Sequence, residues 1–315
     1  MFKKPSLDTS ILESLSVKPH NELGEDYAVM SRVPLTAFVA EEGLGESSLY
    51  LELFENEEEI EVCERFAIVD CETTGLDSKS DEIIEIGILK GFYNPISKRI
   101  VSLDEFYCYL EQPSKPIAPI ITEVTGLTDD ALKGQRIDDD AIERAMKNVS
   151  LVIAHNAKFD RGLIDNHRIG KFFKGKTWAC SAKGGDIDWS AAGHRSSALG
   201  SLLADYGFFF DAHRASVDCA ATAWLLLIAQ PQFAQLLGNA TQDSFDVHAY
   251  GAPFSVKDTL KARGYRWNAQ EKVWELHNLI GAEKAKEEIK WLSTLYPQAL
   301  ALGELTMKPA TERHT

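Results

Sequence analysis

The sequence predicts an α/β protein, a mixed five-stranded sheet flanked by helices, with an acidic N-terminal extension and a small C-terminal α/β module. Three observations predict it. Apolar, β-rich runs recur at 66–70, 82–93, 99–110, 151–155 and 177–180, with helix-spaced segments between and after them. A second set of strand and helix patterns begins beyond Pro231. The charge is also unevenly distributed. The chain of 315 residues carries −15 in all, yet residues 1–64 hold 15 acids against four Lys/Arg.

The elements follow in chain order. Residues 1–26 are polar and weakly patterned, while 27–39 and 48–54 carry partial apolar alternation that fits short strands. The acidic run 55–64 reads as a solvated linker. Phe66 to Val69 are too few for a helix and form a buried strand that ends in Asp70-Cys71-Glu72-Thr73-Thr74-Gly75. Strands two and three occupy 82–93 and 99–110, and Pro113, Pro116 and Pro119 then interrupt the chain. Apolar residues at 137, 142, 145, 146 and 149 have helical spacing. Strand four (151–155) runs into a turn and a helix whose first turn carries Asp160. A short fifth strand lies at 177–180, and the helix from Leu199 to Tyr206 stops at Gly207. Asp218 opens an apolar helix spanning 220–228. The predicted organisation is an extension at 1–64, a main domain at 65–230, a spacer at 231–243, a small α/β module at 244–302 and a disordered tail at 303–315.

Composition narrows the function classes. At 44% apolar residues the chain can build a packed core, and it has no run of about 18 apolar residues to span a membrane. The N-terminus lacks an apolar signal core. Five cysteines, an odd number with no C-x-x-C, favour neither a disulfide framework nor a zinc site; reduced core thiols and a cytoplasmic location are expected. Between 158 and 195, eight Lys/Arg face four Asp, a basic stretch suited to a phosphodiester ligand.

Chemistry concentrates in three stretches. Side chains at i and i+2 of a strand share a face, so Asp70 and Glu72 project together, and a hard divalent cation relieves their repulsion. His155-Asn156-Ala157-Lys158-Phe159-Asp160 supplies a third acid. His213-Arg214-Ala215-Ser216-Val217-Asp218 supplies a fourth, five positions after a loop His. Four acids and one His are a full inventory for two metals and one proton acceptor.

D-x-E-T-T-G, H-N-A-x-F-D and H-R-A-x-x-D in this order resemble the DEDDh branch of the DnaQ-like 3′–5′ exonuclease superfamily, over roughly residues 64–230. The segment I-T-x-V-T-G-L-T at 121–128 resembles a helix-turn of the same family. The resemblance implies an RNase H-like fold, with the second strand antiparallel to its neighbours. It implies two Mg²⁺ or Mn²⁺ ions held by Asp70, Glu72, Asp160 and Asp218, with His213 as general base. It further implies that Thr73, Thr74 and Leu76 meet the terminal nucleotide, Leu76 as an apolar wedge. His155 and Asn156 read equally as phosphate or structural contacts, Phe159 as core or stacking platform, and Arg214 as phosphate contact or brace for an acid.

K-D-x-L-K-x-R-G-Y-R-W-N-x-x-x-K-x-W at 257–274 resembles a small domain appended to some DNA-processing enzymes. Its Tyr265, Arg266, Trp267, Lys272 and Trp274 suit single-stranded nucleic acid, whereas Trp267 and Trp274 also suit the module's own core. The expected activity is metal-dependent 3′–5′ exonucleolysis of single-stranded or frayed DNA, releasing nucleoside 5′-monophosphates. RNA trimming is an alternative because no motif reads the 2′ hydroxyl. A second is a non-catalytic accessory role binding nucleic acid or a polymerase. No polymerase motif is present, so proofreading would require a separate partner chain.

Overall fold

The computed structural model describes residues 30–36, 43–54, 57–182, 185–296, 298–299 and 304–314. The weakly patterned stretch at 1–26, and positions 27–29 and 37–39 of the expected strand region, lie outside these residues. The chain divides into two compact units, the second being Gly238–Arg313.

The first unit is built on a sheet of strands β2 (Gly45–Glu52), β3 (Glu64–Thr73), β4 (Ile83–Asn94), β5 (Arg99–Leu110), β6 (Val149–Ala154) and β7 (Thr177–Cys180), in the spatial order β2-β5-β4-β3-β6-β7. A two-residue strand, β1 (Ser31–Arg32), pairs separately with β8 (Phe208–Phe209). Phe66, Ala67, Ile68 and Val69 are all buried, as expected of a central strand covered on both faces. β4 runs antiparallel to β3 and to β5, as predicted, while β6 and β7 run parallel to β3.

The sheet has six strands, not five. The extra one, β2, comes from the segment assigned to the extension. Its Leu49 and Leu51 are buried, and it pairs antiparallel with β5, whose outer edge would otherwise be open. The acidic run at 55–64 is also not a solvated linker. It holds helix α1 (Glu57–Val62), in which buried Glu59 accepts hydrogen bonds from Arg99 at 2.7 Å and Asn94 at 2.9 Å. A charge run that includes one residue with a dedicated partner packs instead of floating.

Helices α2 (Pro119–Thr125), α3 (Asp129–Leu132), α4 (Asp139–Met146), α5 (Ala157–Asn166), α6 (Leu199–Asp205), α7 (Ala215–Ile228) and α8 (Gln230–Ala240) complete this part of the chain. α2 ends on Gly126 at φ 73°, a left-handed cap that glycine adopts without steric cost. α7 starts at Ala215, earlier than predicted, so Asp218 lies within its first turn instead of before it. Being apolar on every side, α7 is buried against β3 and β4.

Two features of this topology aim side chains at one place. Parallel β3 and β6 end at the same edge of the sheet, which brings the start of α5 beside Asp70 and Glu72. On the other side, Gly87 of β4 is the register partner of Asp70. A Cβ there would stand 2.5 Å from the Ala215 carbonyl oxygen, so the first turn of α7 approaches the strand over a bare backbone.

The second unit has a four-stranded sheet of order β10-β11-β9-β12, from β9 (Ser244–Ala249), β10 (Arg266–Asn268), β11 (Val273–Ile280) and β12 (Glu304–Lys308). Helices α9 (Lys257–Ala262) and α10 (Ala282–Leu295) accompany it, and Leu260, Tyr265, Trp274 and Leu292 share its core. The predicted disordered tail is ordered from Glu304 to His314. β12 pairs with β9, and buried Arg313 donates to the Asn239 carbonyl at 2.7 Å. The sequence E-L-T-M-K gave too short an alternation to register as a strand without its partner. Trp274 is buried as expected of a core residue, but Trp267 is 51% exposed.

Gly87→Ala is expected to destabilise the fold by about 1–3 kcal/mol, because the backbone of α7 must move to admit a methyl group. Urea unfolding measures it. An unchanged midpoint would show that the close approach of α7 is not a constraint.

Candidate active site

The site forms where β3 ends and α5 and α7 begin. Carboxylate oxygens of Asp70, Glu72 and Asp218 lie within 4.8 Å of one another. Asp160 is buried beside them, and its Oδ1 accepts the Cys71 backbone N–H at 3.1 Å, which pins its carboxylate to the strand between the first two acids. Asp218 is fixed by its own loop, accepting backbone N–H bonds from His213 at 2.8 Å and Arg214 at 3.2 Å. His213 sits in the left-handed region at φ 72° with its side chain exposed, a conformation that a non-glycine residue holds only when its surroundings impose it.

Burial and mutual repulsion dominate the electrostatics. Burial drives the Asp70 carboxyl well above the ordinary carboxylate range, and the charges of Asp160, Asp218, Glu72 and Glu85 drive it further. Glu72 is pushed up to about 8, first by burial and then by Asp218, Glu85 and Asp160, with Arg214 opposing. Burial lifts Asp160 to about 7 against the Cys71 hydrogen bond, and lifts Asp218 to about 6 against the His213 and Arg214 N–H groups. Four clustered acids of like charge, all with oxygen donors, fit hard divalent cations and offer nothing to a soft one. The Cys71 thiol is pushed well up by burial, so it is an inert neighbour of the acids, as expected of a core cysteine.

The residue the sequence analysis missed is Glu85. It lies in β4, opposite Glu72 in register, and is fully buried. It accepts the Arg214 guanidinium at 2.8–3.2 Å and the Ala215 backbone N–H at 3.1 Å, and the Cys108 Sγ lies 3.3 Å away. Arg214 is therefore a brace for an acid, and the pair clamps the loop carrying His213 to the sheet. The available signal was a lone Glu inside the apolar run Ile83-Ile84-Glu85-Ile86-Gly87-Ile88.

The remaining predicted residues sort by how their polar atoms are used. Thr73 Oγ1 donates to the Gly75 carbonyl. Thr74 Oγ1 donates to Asp81 and accepts from the Glu82 N–H, both at 3.0 Å. Both hydroxyls are thus committed to the turn. Asp81 also accepts the Asp77 N–H at 2.8 Å, so this loop is internally tied. It presents Leu76 to solvent with 89% exposure. His155 has both ring nitrogens engaged, with Ser181 Oγ and the Ser197 carbonyl at 2.9 Å each. Burial holds its pKa down at about 4, so it is neutral, donating from Nε2 and accepting at Nδ1, which is a structural role. Phe159 packs against the core. Asn156 is exposed at φ 137°, a strained backbone at the mouth of α5. The expected basic stretch is largely consumed internally: Arg168 pairs with Glu111 and Asp139, Arg161 with Asp165, and Lys176 donates to two carbonyls.

The acids' raised pKa values fix a pH dependence. Unfolded, these carboxyls titrate near 4; folded, they hold their protons to about 6, 7 and 8. The folded chain binds more protons across that window, so metal-free stability should fall as pH rises from about 4 to 8. Tm measured in EDTA is expected to drop over this range, and Mg²⁺ to reverse the trend. Asp70→Asn should raise the metal-free Tm at pH 8 by about 2–8 °C. A lower Tm in that variant would contradict the repulsion.

Comparison with known proteins is consistent with this geometry. The exonuclease family model matches residues 67–226. The DNA polymerase III PolC-type protein of Thermotoga petrophila is 31% identical over 177 residues, covering 51% of this chain and 12% of that protein. The PolC-type protein of Bacillus subtilis is 31% identical over 173 residues, covering 52% and 11%. The chain thus matches about an eighth of the length of these relatives. The solved structure of Exonuclease X in complex with 5′ overhanging duplex DNA is 24% identical with a TM-score of 0.40, covering 55% of this chain and 99% of that one. The matched segment spans half of the chain and contains Asp70, Glu72, Asp160, His213 and Asp218, and the protein belongs to the DnaQ-like 3′–5′ exonuclease family.

Proposed function

We propose that this chain is a metal-dependent 3′–5′ exonuclease that hydrolyses single-stranded or frayed 3′ ends of DNA to nucleoside 5′-monophosphates. The observation that carries the reading is the convergence of Asp70, Glu72 and Asp218 within 4.8 Å, with Asp160 buried alongside. The names of the PolC-type relatives favour DNA as the polymer.

Asp70, Glu72, Asp160 and Asp218 would hold two Mg²⁺ or Mn²⁺ ions. When bound, such ions supply an activated water and neutralise charge building on the leaving oxygen. The protein's own parts do the rest. The Cys71 N–H and the His213 and Arg214 N–H groups hold Asp160 and Asp218 in fixed orientations before substrate arrives. His213, exposed on a loop anchored at Asp218, accepts the proton that the attacking water loses. Leu76, apolar yet projecting into solvent from a tied loop, packs on the terminal base, and the end-specific fit would come from that contact together with the backbone of 73–76. Glu85 is a positioning residue: through Arg214 and Ala215 N–H it sets where the His213 loop leaves the sheet.

The test uses 5′-labelled single- and double-stranded DNA and RNA with Mg²⁺, Mn²⁺ or EDTA. A ladder shortening from the 3′ end, metal-dependent and strongest on single-stranded DNA, is expected. Asp70→Ala or Asp160→Ala should lower turnover by about 10³-fold or more while the chain stays folded, and His213→Ala by about 10²–10⁴-fold. Turnover at the original rate in Asp70→Ala would sink the assignment.

A further inference from the structure

The second unit carries a feature that the catalytic reading does not use. On α9, Lys257 and Lys261 are one turn apart and so lie on the same helix face. Lys257 Nζ stands 4.0 Å from the centroid of the Phe254 ring, and Lys261 Nζ stands 6.0 Å from that of Trp274. Trp274 in turn lies 5.5 Å, centroid to centroid, from Trp267, its cross-strand partner in the β10–β11 hairpin. The five side chains thus form one contiguous line, aromatic, cation, cation, aromatic, aromatic.

The ends of this line are open while its middle is anchored. Phe254 is 79% exposed and Trp267 is 51% exposed, whereas Trp274 is buried in the module's core and fixes the position of Trp267 above it. Two large rings offered to water at the ends of a short helix and an edge strand cost the fold apolar area it could have buried. Neither lysine pairs with a carboxylate among the described residues, in contrast to Arg161 and Arg168, whose charges are met inside the first unit. Of the residues singled out from sequence in this module, Tyr265 is buried and hydrogen-bonded to Glu288, and Arg266, next to Trp267 in the strand, projects to the opposite face.

We propose that Phe254, Lys257, Lys261 and Trp267 form a binding ridge for single-stranded nucleic acid, which holds the substrate strand independently of the catalytic acids. Exposed rings present faces on which unpaired bases stack whatever their sequence, and unpaired ammonium groups between them meet the phosphates. A duplex offers no free base face to Phe254 and Trp267, so the ridge selects single strands. This deepens the exonuclease reading only in taking its ligand from it, since binding at the ridge needs neither metal nor hydrolysis.

The experiment measures fluorescence anisotropy of 5′-fluorescein-(dT)20 with the full chain in EDTA, so that no cleavage occurs. Trp267→Ala should raise Kd by about 5- to 150-fold, the range for losing one stacked base, with Tm unchanged because the ring is half exposed. Lys257→Gln with Lys261→Gln should reduce the slope of log K against log salt by about 1.4, or about 0.7 for each phosphate contact. With Mg²⁺, both variants should hydrolyse (dT)3 as wild type does and lose processing of (dT)20. Loss of (dT)20 binding in the variants supports the ridge even if no substrate is hydrolysed, in which case the exonuclease reading alone falls. A Kd within twofold of wild type in both variants would overturn the ridge. So would an equal loss of binding to a duplex of the same length.

Discussion

The structure depends on the enforced proximity of like charges. Asp70, Glu72, Asp160 and Asp218 are clustered, Asp160 buried and the other three half-buried, and each carboxyl is held above its ordinary pKa chiefly by desolvation. Folding works against that repulsion, and the surroundings show what offsets it. Backbone N–H groups from Cys71, His213 and Arg214 are spent on Asp160 and Asp218, and the Arg214 guanidinium, bonded to Glu85, opposes the rise of the Glu72 pKa. A site built at a cost in stability is the common condition of preorganised catalytic centres.

The same constraint explains why the scaffold around the site is closely fitted. Glycine at 87 lets the first turn of α7 reach β4, and the parallel pairing of β3 with β6 delivers Asp160 to Cys71. Glu85 joins these two arrangements, since one buried carboxylate fixes both a side chain and the backbone amide at the start of α7. Removing one partner of such a buried pair leaves an uncompensated charge, so the clamp resists drift of the His213 loop.

The distribution of positive charge separates two tasks. In the first unit, most described cations of the 158–195 stretch are held in ion pairs or on carbonyls. In the second unit, Lys257 lies beside the exposed Phe254 ring and Lys261 beside the buried Trp274 ring, neither with a carboxylate partner among the described residues. The net charge of −15 is therefore a poor guide to nucleic-acid affinity in this chain, because local arrangement decides which charges a phosphate can meet.

The sequence by itself determined which acids and which His could share a site. The strand ending D-x-E, the later acids and the loop His were legible because period-2 geometry and chain order carry them, and the limits of β5 and β7 followed from local patterning. Tertiary structure decided what local pattern cannot encode. Whether Glu59 floats or is buried depends on Arg99, 40 residues away. That the strand expected at 48–54 joins the main sheet as β2, and that β12 exists, depends on the open edges of β5 and β9. That Thr74 and His155 spend their polar atoms on the scaffold, that Arg214 braces Glu85, and that Trp267 remains exposed while Trp274 is buried are all outcomes of partners distant in sequence or across a hairpin. Hydrogen-bond satisfaction and burial belong to pairs of groups, and the sequence lists the groups without the pairing.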